Sequence, residues 1–186
     1  MATGNDLRKG MAIRHNNEVC VVLESQHRTP GNLRAFVQAT LRNIRTGKTL
    51  DVRFSSTEKM EVVPIINTKM EFTYKDGDDY VFTDPDTFEM VNIASDIVGD
   101  AKDYLTDNAP ATVTFVEGAA VDVEMPASVV LVVTEAPEGV KGDSATNVQK
   151  TITLETGISI QAPLFIKPGE KIRVDTRTRK YMERAN

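Results

Sequence analysis

Short runs of β-branched and aromatic residues, separated by turn pairs, make up most of this chain. Val, Ile, Thr, Phe and Tyr fit a pleated sheet, and runs of them bounded by glycine or proline are typical of strands joined by tight turns. The turn pairs are Pro30-Gly31, Thr46-Gly47, Asp76-Gly77, Glu117-Gly118 and Pro168-Gly169. Because helical periodicity is scarce, the sequence predicts an all-β protein built of small barrels or sandwiches.

One segment departs from this pattern. The sequence ASDIVGDAKDYL, from about Ala94 to Leu105, predicts a short helix with one apolar face. Ser95 is the expected cap of its N-terminus, and Gly99 interrupts it.

Two prolines mark the borders of three candidate domains. Pro64 ends the first strand-rich block, and Pro126 separates the second block from the third. The resulting domains, residues 1–65, 66–128 and 129–186, have about 60 residues each, near the lower limit for independent folding. Small barrels fit this size.

Charge is distributed unevenly over these domains. The first has ten Lys or Arg and six Asp or Glu, the central one three and 14, and the third nine and seven. A polyanion responds to the field within about 8 Å rather than to the total charge of a protein. We therefore expect the two end domains to approach nucleic acid and the central domain to be repelled, although the acidic segments also fit solvated loops. The clustered cations are Arg28, Arg34, Arg42, Arg45, Lys48 and Arg53, then Lys171, Arg173, Arg177, Arg179, Lys180 and Arg184.

The chain has few of the residues that enzymes and metal sites use. Cys20 is the only cysteine, which excludes an internal disulfide and a multi-cysteine zinc site, and its apolar strand predicts a buried position. The only histidines are His15, expected in a solvated turn, and His27, expected to pack or to contact phosphate. There is no 12-residue calcium loop and no glycine-rich phosphate loop. We expect no metal, no cofactor and no enzymatic activity.

The N-terminal segment and the apolar runs indicate where in the cell the protein is expected. The first 20 residues contain no apolar stretch of signal-peptide length, and no later run approaches the roughly 20 apolar residues of a membrane span. The sequence therefore predicts a cytoplasmic protein without a membrane partner.

The decapeptide HRTPGNLRAF stands between two predicted strands, NEVCVVLESQ and AFVQATLRNI. Strands of about ten residues, at ~3.3 Å each, carry a hairpin apex roughly 30 Å from the far end. Pro30 restricts the backbone and Gly31 permits the turn, so we expect a partly preorganised loop with Asn32 at its apex. Arg28 and Arg34 are the nearest cations. A purely structural hairpin would also accept Asn32, since asparagine tolerates left-handed backbone.

The C-terminal third, KTITLETGISIQAPLFIKPGEKIRVDTRTRKYMER, resembles the signature of the bacterial elongation factor P family. The matching positions are Lys150, Gly157, Pro163 and Gly169. Ile152 stands where the family has alanine, and Ala162 where it has valine.

Other segments resemble the same family in the same order along nearly the whole chain. In EAPEGVKGDSATN, the family's glycine-rich loop is matched by Gly142, Asp143 and Asn147, with Thr146 in place of a glycine. The segments FTYKDGDDYVFTDPDTFE and LRNIRTGKTLDVRFSSTEKMEVV also fit.

The resemblance implies a fold and a function. The fold is a KOW-like barrel followed by two OB-fold barrels in an L shape, similar in outline to a tRNA. Members of the family bind the bacterial ribosome between the peptidyl-tRNA and exit-tRNA sites and relieve stalling at consecutive prolines. The expected partners are the ribosome, peptidyl-tRNA and ribosomal RNA, and the expected state is a monomer. The expected effect is positioning of the tRNA, without an acid or base from the protein.

The resemblance also implies roles for particular residues. The hairpin tip would face the peptidyl-transferase centre, with Asn32 where the family typically has a Lys or Arg that carries a covalent extension. The loop containing Gly142, Asp143 and Asn147 would reach toward the exit-site codon. Near the C-terminus, Tyr181 and Arg184 match a pair expected to lie near the peptidyl-site tRNA and the small subunit.

Two other functions fit the sequence. One is an elongation-factor-P-like paralogue with a different tip and an altered range of stalling motifs. The other is an OB-fold protein outside translation that binds single strands, oligosaccharides or proteins. Such a binder predicts aromatic stacking surfaces, whereas aromatics make up 6% of the chain and Trp is missing.

Overall fold

The computed structural model describes residues 1–31, 34–138 and 149–186. In these ranges the chain folds into three sheets with little helix, as the sequence predicts. No helix in the described ranges is long and apolar enough to cross a membrane.

The first sheet has six strands in the order β1-β6-β2-β3-β4-β5. The strands are β1 (Ala2–Thr3), β2 (Ala12–His15), β3 (Glu18–Arg28), β4 (Phe36–Asn43), β5 (Thr49–Ser55) and β6 (Lys59–Val63). Strand β4 alternates as a half-buried strand should: Val37, Ala39 and Leu41 are buried and Gln38 is exposed. Their core partners include Leu7, Ile13 and Cys20. The buried position of Cys20 confirms the sequence-based prediction, and burial raises the pKa of its thiol.

The second sheet has five strands in the order β11-β10-β7-β8-β9. The strands are β7 (Ile66–Asp76), β8 (Asp79–Thr83), β9 (Met90–Ala94), β10 (Pro110–Val116) and β11 (Ala119–Glu124). Phe82 and Ile93 are among its fully buried side chains.

The predicted helix is shorter than expected. Helix α1 (Ser95–Val98) ends at Gly99, where φ is +56°, and the chain continues as a 3-10 helix to Tyr104. Because glycine accepts this left-handed backbone, the α-helix stops there. The prediction of Ser95 as the cap was wrong: Ala94 occupies the N-cap position, without a side-chain hydrogen bond.

The third sheet has five strands in the order β14-β13-β12-β15-β16. The strands are β12 (Ser128–Glu135), β13 (Gln149–Leu154), β14 (Ser159–Pro163), β15 (Lys171–Asp175) and β16 (Lys180–Arg184). The last strand also lies against β14, so the sheet closes into a barrel. Leu131, Ile152 and Ile172 are among the side chains that fill it.

The chain separates into two compact units. The first comprises residues 1–68 and 114–122, and the second comprises residues 69–113 and 123–186. In the first unit, Val116 and Val121 are buried in one cluster with Ala12, Val19, Val21 and Val63. The end of the β10–β11 hairpin thus contributes to the core of the first unit. The exact borders of the three domains expected from the sequence stay a prediction.

Candidate nucleic-acid interface

The outer part of strand β3 is exposed, although Val37, which lies opposite His27 on β4, belongs to the core of the first unit. The inner part of β3, from Val19 to Val22, is buried, whereas Gln26, His27 and Arg28 are exposed. The pairing of β3 with β4 continues to Arg28, which lies opposite Phe36. In this outer half of the hairpin, called the arm below, β4 also pairs with β5 as far as Ser55. The side chains from Gln26 to Arg28 on β3 are available to a partner.

The residues at the end of this arm were predicted as a site. Arg28 is exposed, and its Nη2 donates a hydrogen bond to Gln26 Oε1 at 3.0 Å. Arg34 is exposed too, and it has no hydrogen bond or ion pair with the described residues. Pro30 is half-buried, and Asn32 lies outside the described residues.

Gly31 departs from the expected turn geometry. Its φ lies outside the left-handed range that favours glycine, and nothing comes within 4 Å of the position that a Cβ would occupy. The backbone of the arm does not require glycine here. What glycine provides is a tip without a side chain at that point.

A cation–aromatic pair lies on the outer face of the same arm. The Arg53 Cζ lies 3.6 Å from the centroid of the Phe36 ring. The register explains the contact: Arg53 lies opposite Gln38, two residues along β4 from Phe36. Because cross-strand neighbours share a face, the side chains of Arg28, Phe36 and Arg53 lie on one side of the sheet. Arg53 is one of the cations that cluster in the sequence, whereas Phe36 was not predicted, although its place just after the tip could have indicated it.

The cationic cluster of the first unit is smaller than the sequence suggested. Arg42 donates from Nη2 to the Val121 carbonyl oxygen, and Arg45 forms an ion pair with Glu18. These two cations therefore hold parts of the unit together. Beside the arm, the Arg8 Nη1 lies 3.2 Å from His27 Nε2, which places another cation near the outer end of β3.

Tyr181 and Arg184 lie on β16 in the third sheet. Tyr181 is half-buried opposite Val174. Arg184 Nη2 lies 3.7 Å from Glu170 Oε1 and 3.5 Å from the Phe165 carbonyl oxygen. Its Cζ also lies 4.6 Å from the centroid of the Phe165 ring. Half of the Arg184 side chain stays exposed, so the guanidinium is oriented by the protein and still accessible.

Several other C-terminal cations have partners in the protein. Arg173 Nε pairs with Glu183 Oε1 at 3.0 Å, and Arg179 pairs with Asp103. Asp175 Oδ1 accepts hydrogen bonds from the backbone N–H of Thr178 and Arg177, and these bonds, that of Thr178 first, hold the pKa of Asp175 below its usual value.

The remaining predicted site residues, Gly142, Asp143 and Asn147, lie outside the described residues, as does Asn32. Within the described ranges, no group of three or more His, Cys, Asp or Glu side chains is placed to hold a metal ion.

Models of three protein domains match successive parts of the chain. Residues 3–60 match the elongation factor P (EF-P) KOW-like domain, residues 65–123 match the elongation factor P (EF-P) OB domain, and residues 129–184 match the elongation factor P C-terminal domain. Together the matches extend over all three sheets.

Several curated proteins are similar to this chain over nearly its full length. Elongation factor P of Acidobacterium capsulatum is 49% identical over 179 residues, which cover 96% of each chain. Elongation factor P of Salinispora tropica is 45% identical over 185 residues, which cover 100% of each chain. That of Roseiflexus castenholzii is 45% identical and covers 99% of each chain.

Proposed function

Because this chain belongs to the elongation factor P family and is therefore a translation elongation factor, we propose that it binds the bacterial ribosome beside peptidyl-tRNA. There it promotes peptide-bond formation where consecutive prolines stall synthesis. The observation that carries the proposal is the exposed outer part of strand β3, followed by the exposed cation Arg34, which has no partner among the described residues.

The arm has the reach and the charge that such a role needs. The five residues from Glu24 to Arg28 span about 16 Å at the rise of a β-strand. Arg28 on this segment and Arg34 beyond it can bind the phosphates of a tRNA acceptor arm. Such contacts fix position rather than sequence. The acidic central domain, with three Lys or Arg against 14 Asp or Glu, would be kept away from RNA by the same field.

In the proposed mechanism the protein positions the peptidyl-tRNA, and the ribosome performs the chemistry. Holding a poorly placed reactant in a reactive geometry removes an entropic part of the barrier and needs no acid or base from the protein. We propose that Asn32 acts without a covalent extension, that Pro30 shapes the tip and that Arg34 supplies charge near the acceptor stem.

The other predicted residues have places in the same proposal. The loop with Gly142, Asp143 and Asn147 would contact RNA near the exit-site codon, where a glycine lets the backbone approach closely. Tyr181 and Arg184 would lie near the peptidyl-site tRNA.

An elongation-factor-P-like paralogue with an altered range of stalling motifs is the second candidate. The observation that favours it is Asn32, which offers neither the amine nor the guanidinium that is usual at the tip.

Synthesis of a polyproline peptide in a reconstituted translation system tests the proposal. Addition of the protein should speed synthesis from a message with three consecutive proline codons and leave a proline-free message unchanged. The double variant Asn32→Ala, Arg34→Ala should lose most of the effect. Lys59→Ala, which removes an exposed cation of β6, is the matched control and should keep it. Full activity of the double variant would contradict the role of the tip, and no effect of the unaltered protein would contradict the function.

A further inference from the structure

Phe165 is an aromatic side chain held outside the third barrel. It lies in the turn between β14 and β15 and is 53% exposed, whereas the next residue, Ile166, is fully buried. The backbone N–H of Ile166 donates to the Pro163 carbonyl oxygen at 3.2 Å. Because Ile166 is fixed in the core, the side chain of its neighbour is directed to the surface.

The turn that carries Phe165 is closed by several hydrogen bonds. The backbone N–H of Lys167 donates to Glu170 Oε2 at 2.9 Å, and that of Gly169 donates to the Val133 carbonyl oxygen at 2.8 Å. An exposed aromatic ring on such a turn loses little conformational entropy when it binds a flat partner.

The guanidinium of Arg184 lies next to the Phe165 ring. Its Cζ lies 4.6 Å from the centroid of the Phe165 ring, and its Nη2 lies near the Phe165 carbonyl oxygen and Glu170. A guanidinium covers one face of a ring at most, and the exposed fraction of Phe165 shows that part of the ring stays open.

The charge around the ring favours a polyanion. Lys167 lies in the turn and Lys171 directly follows it. Both are exposed, and their side chains form no hydrogen bond or ion pair with residues in the described ranges. The one acid in the turn, Glu170, is already bonded to Arg184 and to the backbone of Lys167.

We propose that Phe165 and Arg184 form a stacking platform for an unpaired RNA base, and that Arg184 and Lys167 bind the phosphates beside it. A ring with cations around it suits a flat π-system attached to phosphates better than an aliphatic side chain, which gains nothing from the charges. This inference deepens the proposed function, because it names the ligand of the third domain and gives Arg184 a role that depends on Phe165.

Phe88 provides an internal comparison. It is 77% exposed, in the turn between β8 and β9, but it stands among Asp84, Asp86 and Glu89. Acidic neighbours repel a phosphate backbone, so exposure alone does not create the proposed site.

The absence of Trp from the sequence makes a direct test possible. In Phe165→Trp, the new side chain is the only indole, and its fluorescence reports on stacking at this position. Titration with a single-stranded oligoadenylate should quench the fluorescence. An abasic oligomer of the same length and charge should quench it weakly or not at all. The control Phe88→Trp should be insensitive to both oligomers.

Affinity measurements with unlabelled variants complete the test. Phe165→Ala should weaken oligoadenylate binding by about tenfold, a typical value for the loss of one stacked base. Phe165→Tyr should keep the affinity, and Phe165→Leu, which is apolar but not aromatic, should lose it. Thermal melting of each variant verifies folding, and little change is expected because the side chain is on the surface.

The results that would overturn the platform are distinct from those that would overturn the proposed function. Each of three outcomes would refute stacking. The Leu variant could bind as tightly as the unaltered protein, the two oligomers could bind equally well, or neither oligomer could bind. If these occur while polyproline synthesis is still accelerated, only the platform is refuted. If quenching occurs but polyproline synthesis is unaffected by the protein, the platform stands and the proposed function fails.

Discussion

The guanidinium of Arg53 lies 3.6 Å from the centre of the Phe36 ring on the outer face of the β3–β4 arm. The contact joins β4 and β5 at the outer end of the arm, where Phe36 lies opposite Arg28. It also keeps a positive charge on the face that carries Arg28.

Arg53→Ala should affect function more than stability. A cation–aromatic pair at an exposed site contributes about 0.5–1 kcal/mol, so the free energy of unfolding should fall by about that amount in urea titrations. Polyproline synthesis should fall several-fold, because a charge facing the tRNA is lost. Arg53→Lys keeps the charge but not the planar stacking and should restore part of the activity. A variant as active as the unaltered protein would show that this face of the arm does not contact RNA.

Asn32 should carry no covalent extension. The side chain has neither an amine nor a guanidinium, and Arg34 can supply charge close by. Mass spectrometry of the protein purified from its own host should give the mass of the unmodified chain. An added mass on a peptide spanning residues 28–36 would contradict this expectation.

Arg184→Ala should weaken ribosome binding by roughly 1 kcal/mol and reduce the salt dependence of binding, since one phosphate contact is removed. Glu170→Gln gives a matched comparison, because it removes the acid that pairs with Arg184 and leaves the cation in place. This variant should bind as tightly as the unaltered protein or more tightly. The test is to measure the ribosome affinity of each variant at two salt concentrations. An affinity of Arg184→Ala equal to that of the unaltered protein would reject the phosphate contact.

The loop that contains Asp143 and Asn147 should matter for activity and little for folding. The double variant Asp143→Ala, Asn147→Ala should reduce rescue of polyproline synthesis. Its melting temperature should stay within about 2 °C of the original if the two side chains serve binding and not folding. A large drop in the melting temperature would instead identify a structural turn.

Asp175 should contribute to acid sensitivity. Hydrogen bonds from Thr178 and Arg177 hold its pKa in the folded protein below the ordinary value of 3.8. Since the folded pKa is the lower one, the stabilisation is present above pH 3.8 and is lost as the pH falls through the folded pKa. Melting temperatures of Asp175→Asn and of the unaltered protein should therefore differ most near neutral pH and converge under acidic conditions. A constant difference between pH 7 and pH 3 would contradict this assignment.

The all-β fold could be predicted because its signals are local. Four of the predicted turn pairs contain a glycine with positive φ in the structure, at Gly47, Gly77, Gly118 and Gly169. Gly31 shows the limit of such reasoning, since its backbone is one that other residues adopt. A turn pair in the sequence indicates that the chain reverses, but not which residue takes the unusual backbone angle.

The partners of the cations could not be predicted from local sequence. Glu170 and Phe165 reach Arg184 only because the barrel places the β14–β15 turn beside the last strand. Likewise, the Val121 carbonyl that binds Arg42 comes from a distant hairpin. The basic residues can therefore be read from the sequence, whereas their partners within the protein depend on the tertiary structure.

The core of the first unit is completed by a segment that is synthesised late. Val116 and Val121 are buried against Ala12, Val21 and Val63, although residues 64–115 separate Val63 from Val116 in the chain. During translation, the buried side chains of Ala12, Val21 and Val63 therefore stay exposed to solvent until residues 114–122 have left the exit tunnel. A protein of this architecture cannot finish its first domain before much of its second has been made, which links the folding of the nascent chain to the pace of its own synthesis.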